Sequence, residues 1–228
     1  MTTMAFIESG VVGVFAAVVI AGTILSLGRF GASRLRAASI SVYGRADRLP
    51  HMRWAGWCFV GWFVPCAAWV LSNPGSGIWS VCAWLFYLSC LGLLALIDAR
   101  TGLLPNELTL VLLLAGLCWQ AAAADFSLPG ATYCWGAVLG WLVPTALNAC
   151  YERWRGSTAI GPGDAKLLAG IGAWLGASAL PSVWVLASLA LVVYTASLAL
   201  FVRCWQSQVA FGPFLAAGGS AALLRTML

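Results

Sequence analysis

An all-α, polytopic membrane helical bundle of about eight transmembrane spans is the fold class this sequence predicts, and three observations predict it. Of 228 residues, 62% are apolar and only 8% charged, far from the roughly 25% charged of a soluble domain, so a water-soluble enzyme is ruled out. The charges fall in short polar stretches between apolar runs of about 17–22 residues, the length that crosses a bilayer core as helix. The basic excess, 12 Lys and Arg against 7 Asp and Glu, is concentrated in some breaks and missing from others, as topology information is. No Lys/Arg run is interleaved with aromatics, so the net charge of +5 does not indicate nucleic acid.

The runs are Phe6–Leu27, Trp54–Leu71, Ile78–Ile97, Leu108–Ala124, Ala131–Cys150, Ala165–Leu180, Ser182–Val202 and Val209–Leu224. The first has no basic residue before it and no small-residue cleavage site after it, and is expected to be a span, not a removed signal peptide. The loop Gly28–Arg53 carries Arg29, Arg34, Arg36, Arg45, Arg48 and Arg53, whereas Asn73–Gly77, Asp125–Gly130 and Pro181 carry no basic residue. With that loop cytoplasmic, alternation puts Arg100, Arg153, Arg155, Lys166 and Arg203 on the same side and only Arg225 outside, with the N-terminus outside. The sixth run is short and glycine-rich, with Gly172 and Gly176 four apart, and is expected in the bundle interior. The eighth is a span or a re-entrant segment, because Gly212-Pro213 and Gly218-Gly219 interrupt it. No repeat or second domain is visible: residues 1–228 form a single unit, with 28–53 a short basic loop.

Eight cysteines, no two of them three apart, give neither a CxxC redox pair nor a zinc site, and pack as small apolar residues. The sole histidine, His51, sits among arginines and is solvated. No cofactor and no metal site is implied. Five acidic residues, Glu8, Glu107, Asp47, Asp125 and Glu152, lie in loops or at span ends. Asp98 and Asp164 differ, because the inferred topology puts both at the cytoplasmic boundary, one ending the third span and one opening the sixth. A carboxylate beside hydrocarbon is costly unless paired, protonated or in a wet cavity, so such residues are functional candidates. Two carboxyl groups within reach of each other share a proton, leaving one as base toward water and the other as acid toward a carbonyl oxygen. Gly161 and Gly163 would let a substrate strand approach closely. The bland alternatives are a helix cap for Asp164 and an interfacial pairing with Arg100 for Asp98.

Three stretches then carry a family likeness. Ile97-Asp98 followed by Leu104-Pro105-Asn106-Glu107-Leu108-Thr109-Leu110, then Gly161-Pro162-Gly163-Asp164-Ala165-Lys166-Leu167-Leu168-Ala169, then Phe211-Gly212-Pro213-Phe214-Leu215-Ala216, resemble the type IV prepilin peptidases, the bacterial branch of the GxGD intramembrane aspartyl proteases. The three motifs occur in the family's order over roughly residues 78–220. The resemblance implies that Asp98 and Asp164 are the catalytic pair. It implies as substrate the basic leader of prepilin or pseudopilin precursors, cut after a glycine at the cytoplasmic face. Many members also methylate the new amine, with a large cytoplasmic insertion after the first span carrying two CxxC pairs. Here that loop is Gly28–Arg53 and holds no cysteine, and the family's GSFLN signature survives only as Gly22-Thr23-Ile24-Leu25-Ser26, so a short, peptidase-only form is implied.

Around the pair, Lys166, the only lysine, holds the site's negative charge or the substrate, or is a membrane anchor. Pro105 and Asn106 break the chain and shape the loop over the site, and Gly212 and Pro213 pack beside it. The competing function is a proton- or cation-coupled transporter using the same aspartates, against which their depth at the membrane boundary argues. Presenilin-type GxGD proteases carry Tyr before the first aspartate, where this chain has Ile97.

Overall fold

The computed structural model describes residues 77–123, 130–158, 160–197, 199–200 and 209–227. The first two predicted spans, the basic loop 28–53 and His51 lie outside the described residues. Within them there are six α-helices and no strand: α1 Gly77–Thr101, α2 Asn106–Ala123, α3 Gly130–Arg155, α4 Pro162–Leu175, α5 Leu180–Ser197 and α6 Gly212–Met227. Each overlaps one predicted run from the third to the eighth.

Apolar all round, α1 cannot choose a watery face and must be buried or lipid-facing. The stretches Ser80–Ala99 and Ala177–Ser197 are long and apolar enough to cross a membrane. On α3 and α5, Trp135, Trp141, Leu147, Val185, Leu189 and Val192 are exposed. That much bare apolar surface is compatible with a lipid environment and uncommon on a soluble monomer.

The α4 helix is the hub, packed against α2, α3, α5 and α6, while α1 leans on α6 and α5 on α6. From Leu167 to Leu175 every α4 residue is buried. Its approach to α3 is backbone on backbone: Gly136 and Gly172 face each other, and a methyl group on Gly140 would fall 2.6 Å from the Leu168 carbonyl oxygen. Small residues on both helices permit that spacing, as in close membrane helix pairs. Toward α2 the contact is keyed by Trp174, whose Nε1–H donates to the Leu112 carbonyl at 2.8 Å while Gln120 Nε2 donates to the Trp174 carbonyl at 2.6 Å. A methyl on Gly116 would fall 2.5 Å from the indole, so glycine makes room for the ring.

Two expectations change. The sixth run is not one helix to Leu180: α4 stops at Leu175, Gly176 takes φ +81°, and a 3₁₀ turn over Ala177–Ala179 leads straight into α5. Of the two glycines spaced four apart, Gly172 makes the helix contact and Gly176 ends the helix. Pro181, expected as the break, sits in the first turn of α5, where the missing N–H costs nothing. In the eighth run Gly218 and Gly219 do not interrupt α6; they let Val183 and the Tyr87 hydroxyl close on it.

Candidate functional site

Asp98 lies one turn from the end of α1. That end is fixed by Gly102 at φ +65°, whose amide donates to the Asp98 carbonyl at 2.7 Å, a left-handed C-terminal cap. Thr101 Oγ1 donates to the Ile97 carbonyl at 2.8 Å and accepts from the Leu103 amide, tightening the turn. Pro105 follows, buried, its carbonyl accepting from the Thr109 amide at 3.2 Å, and α2 begins at Asn106.

Leu104 and Asn106 bring this turn onto the start of α4. A methyl on Gly163 would fall 3.0 Å from the Leu104 Cβ, and Lys166 Nζ donates to Asn106 Oδ1 at 2.6 Å. Pro162 and Gly163 open α4 after the N-cap Gly161, whose residue type supplies no side-chain cap. Asp164 is therefore the third helical residue, not the cap. Its backbone amide donates to the Gly161 carbonyl at 3.1 Å, and its carboxyl accepts from the Gly161 amide, as the acidic member of a capping box does. The loop before it is held by Asn148 Oδ1, which accepts from the Ile160 amide at 3.1 Å.

The third motif closes the arrangement from α6. The Gly212 amide donates to Asp98 Oδ2 at 2.9 Å, and Asp98 is 5% exposed. Asp164 stands just ahead of the apolar segment Ala165–Leu180. Burial, reinforced by the negative charge of Asp98, pushes its carboxyl up to about 7, against the pull of the Gly161 amide. The negative charge of Asp98 thus reaches Asp164 and, with burial, favours its protonated form. Beside Asp164 opens an apolar cavity of about 310 Å³, lined by Pro144, Leu168, Trp184, Ser188, Phe211 and Leu215 among others.

Of the residues singled out in the sequence, Asp98 is brought to Gly212, Asp164 to Gly161, Gly163 to the turn before Pro105, and Lys166 to Asn106. Pro213 occupies the second position of α6. Lys166 is not shown against either carboxyl group; its partner is on α2. The side chain of Arg100, invoked for a pairing with Asp98, lies outside the described residues. Trp184 and Ser188 were missed as cavity residues. Their signal was a tryptophan and a hydroxyl one helical turn apart in the stretch Val183–Val193, otherwise wholly aliphatic. Among the described residues no group of three His, Cys, Asp or Glu could hold a metal ion.

Residues 85–196, which include both aspartates, match the type IV leader peptidase family. The chain is 44% identical over 142 residues to a prepilin leader peptidase/N-methyltransferase of Burkholderia pseudomallei (strain 1026b), covering 59% of this chain and 44% of that one. It is 42% identical over 154 residues to the protein of the same name from Pectobacterium carotovorum subsp. carotovorum, covering 67% and 53%. With that of Aeromonas salmonicida (strain A449) it shares 40% over 153 residues, covering 67% and 51%. The chain spans about half the length of the curated relatives it matches. No solved structure matches.

Proposed function

We propose, because residues 85–196 match the type IV leader peptidase family, that the chain is a membrane-embedded aspartic endopeptidase that removes the basic leader from prepilin-like precursors. The single observation that carries the aspartic mechanism is the convergence of three distant motifs on two carboxyl groups, with the charge of Asp98 acting on Asp164. In the proposed reaction one carboxylate takes a proton from water as its oxygen attacks the scissile carbonyl carbon. The other, protonated, donates to the carbonyl oxygen, and the tetrahedral adduct collapses with proton transfer to the departing amine. No cofactor or metal takes part.

Gly161, Gly163, Pro105 and Asn106 act in this scheme by placing the two helix ends, and Gly212 and Pro213 by placing α6 against Asp98. Lys166 ties the turn to α4. The topology that goes with it has eight spans, an outside N-terminus and the pair at the cytoplasmic face of a bacterial inner membrane, since the Arg-rich breaks share that side. The transporter alternative has no support among the three relatives described above, each named as a prepilin leader peptidase/N-methyltransferase.

Co-expression with prepilin and pseudopilin precursors, followed by mass spectrometry of the product N-terminus, tests this directly. A new terminus just after the leader glycine is expected. Intact precursors in every pairing, with the enzyme present in the membrane, would overturn the reading.

A further inference from the structure

We infer that the Gly212 amide is a positioning group for Asp98: it holds one carboxylate oxygen so that the other is presented to the reaction. This rests on the proposed role of Asp98 and adds a specific task for the start of α6.

The first turn of any α-helix has amides without intrahelical partners. At α6 the sequence disposes of nearly all of them. Pro213 has no N–H, and the Phe214 and Leu215 amides both turn back to the Phe211 carbonyl, at 3.0 and 3.1 Å. The one donor left over at the helix start is Gly212, and it meets Asp98 Oδ2 at 2.9 Å in a buried setting. An N–H aimed at a carboxylate oxygen fixes its rotamer as well as favouring its charge. With Oδ2 occupied, Oδ1 is the oxygen available for chemistry.

The choice of glycine follows from the same contact. A methyl on residue 212 would fall 2.5 Å from Asp98 Oδ2, 2.9 Å from its Cγ and 3.1 Å from its Cβ. The first atoms to yield are the carboxyl end of Asp98, not backbone. Gly212→Ala therefore displaces the Asp98 carboxylate selectively. By contrast, a methyl on Gly218, in the same helix, would fall 2.8 Å from the Val183 carbonyl oxygen, a clash with the backbone of α5 and not with an aspartate side chain. Gly218→Ala thus reports what merely shifting α6 does.

The test is cleavage kinetics of the full-length protein in membranes or detergent with a prepilin substrate. For Gly212→Ala the expected result is a fall in kcat of about 10²-fold, the size of effect a misplacement of about 1 Å produces. KM should stay within about twofold, because substrate binding is not what changes. Gly218→Ala should lower thermal stability without that selective loss of kcat. A Gly212→Ala enzyme with kcat within about threefold of wild type would overturn the inference. Should that variant fail to fold, the wild-type Gly212 amide proton decides by NMR: its chemical shift should follow pH with a midpoint at one of the two limits of the kcat profile and lose that dependence in Asp98→Asn. A shift flat across the pH range of activity would overturn the inference. Cleavage surviving in Asp98→Asn itself would instead defeat the aspartic reading, independently of Gly212.

Discussion

Lys166 Nζ donates to Asn106 Oδ1 at 2.6 Å, joining the start of α4 to the start of α2. Two residues past Asp164, Lys166 leaves the helix roughly 200° around from it, so the ammonium and the carboxyl serve different neighbours. Its bond is a clamp between the two motifs that bear the aspartates. Lys166→Ala and Asn106→Ala should each lower stability, and the double mutant should lose little more than either, giving a coupling of about 1 kcal/mol. Denaturation in micelles measures it; strictly additive losses would show that the bond contributes nothing. Cleavage by Lys166→Ala should fall by less than about tenfold, since the clamp acts through placement and not through contact with the reacting atoms.

The two aspartates should behave quite differently from the lysine. Asp98→Asn and Asp164→Asn are each expected to lower cleavage by at least about 10³-fold while the protein remains inserted, because an amide neither takes a proton from water nor gives one to a carbonyl oxygen. Activity within tenfold of wild type in either variant would sink the assignment. Their rate profile in wild type should be bell-shaped, with limits that belong to the pair.

Asp164 also makes stability depend on pH in a defined direction. Its carboxyl rises from 3.8 to about 7 on folding, so between those values the folded protein binds more protons than the unfolded chain. Stability is then lost as pH rises from near 4 to near 7, and the loss is complete above 7. Asp164→Asn removes this contribution. The variant should therefore melt higher relative to wild type at pH 8 than at pH 4, by thermal unfolding in detergent. A wild-type-to-variant difference independent of pH would show that the carboxyl is not held protonated by its surroundings.

How far the sequence reaches is visible at single residues. The third to eighth apolar runs each overlap a helix, because a long apolar stretch in a lipid setting satisfies its backbone only internally. Asp98 and Asp164 stood out because each borders such a run, where a carboxylate beside hydrocarbon is costly. What composition could not supply was partner choice. Gly176 and Gly172 carry the same residue type four apart, yet one ends a helix through a positive φ and the other admits Gly136, a difference decided by α3. The Trp174 indole reaching Leu112, Lys166 reaching Asn106 and the Gly212 amide reaching Asp98 are all pairings between residues distant in sequence, set by helix packing that no local pattern encodes.

The last prediction concerns the product amine. Relatives carry N-methyltransferase in their names, and a methyl transfer needs a pocket for its methyl donor. The only long hydrophilic stretch here, Gly28 to Arg53, has 26 residues, below the roughly 40 at which a chain usually folds alone without disulfides, metal or oligomerisation. It contains no cysteine, so zinc cannot organise it through CxxC pairs. Its six arginines suit anionic lipid headgroups instead, each worth about 1 kcal/mol near the surface. A basic leader would be repelled by that loop and drawn to acidic groups, of which Glu107 and Glu152 are exposed at helix ends. Mature pilin produced by this protein alone should accordingly carry a free, unmethylated N-terminal amine, and replacing Arg34, Arg36 and Arg45 with Ser should leave cleavage largely intact. Mass spectrometry of the mature N-terminus decides: a peptide heavier by one methyl substitution, in cells with no other methyltransferase for pilins, would mean that the short loop or the membrane domain itself binds the methyl donor.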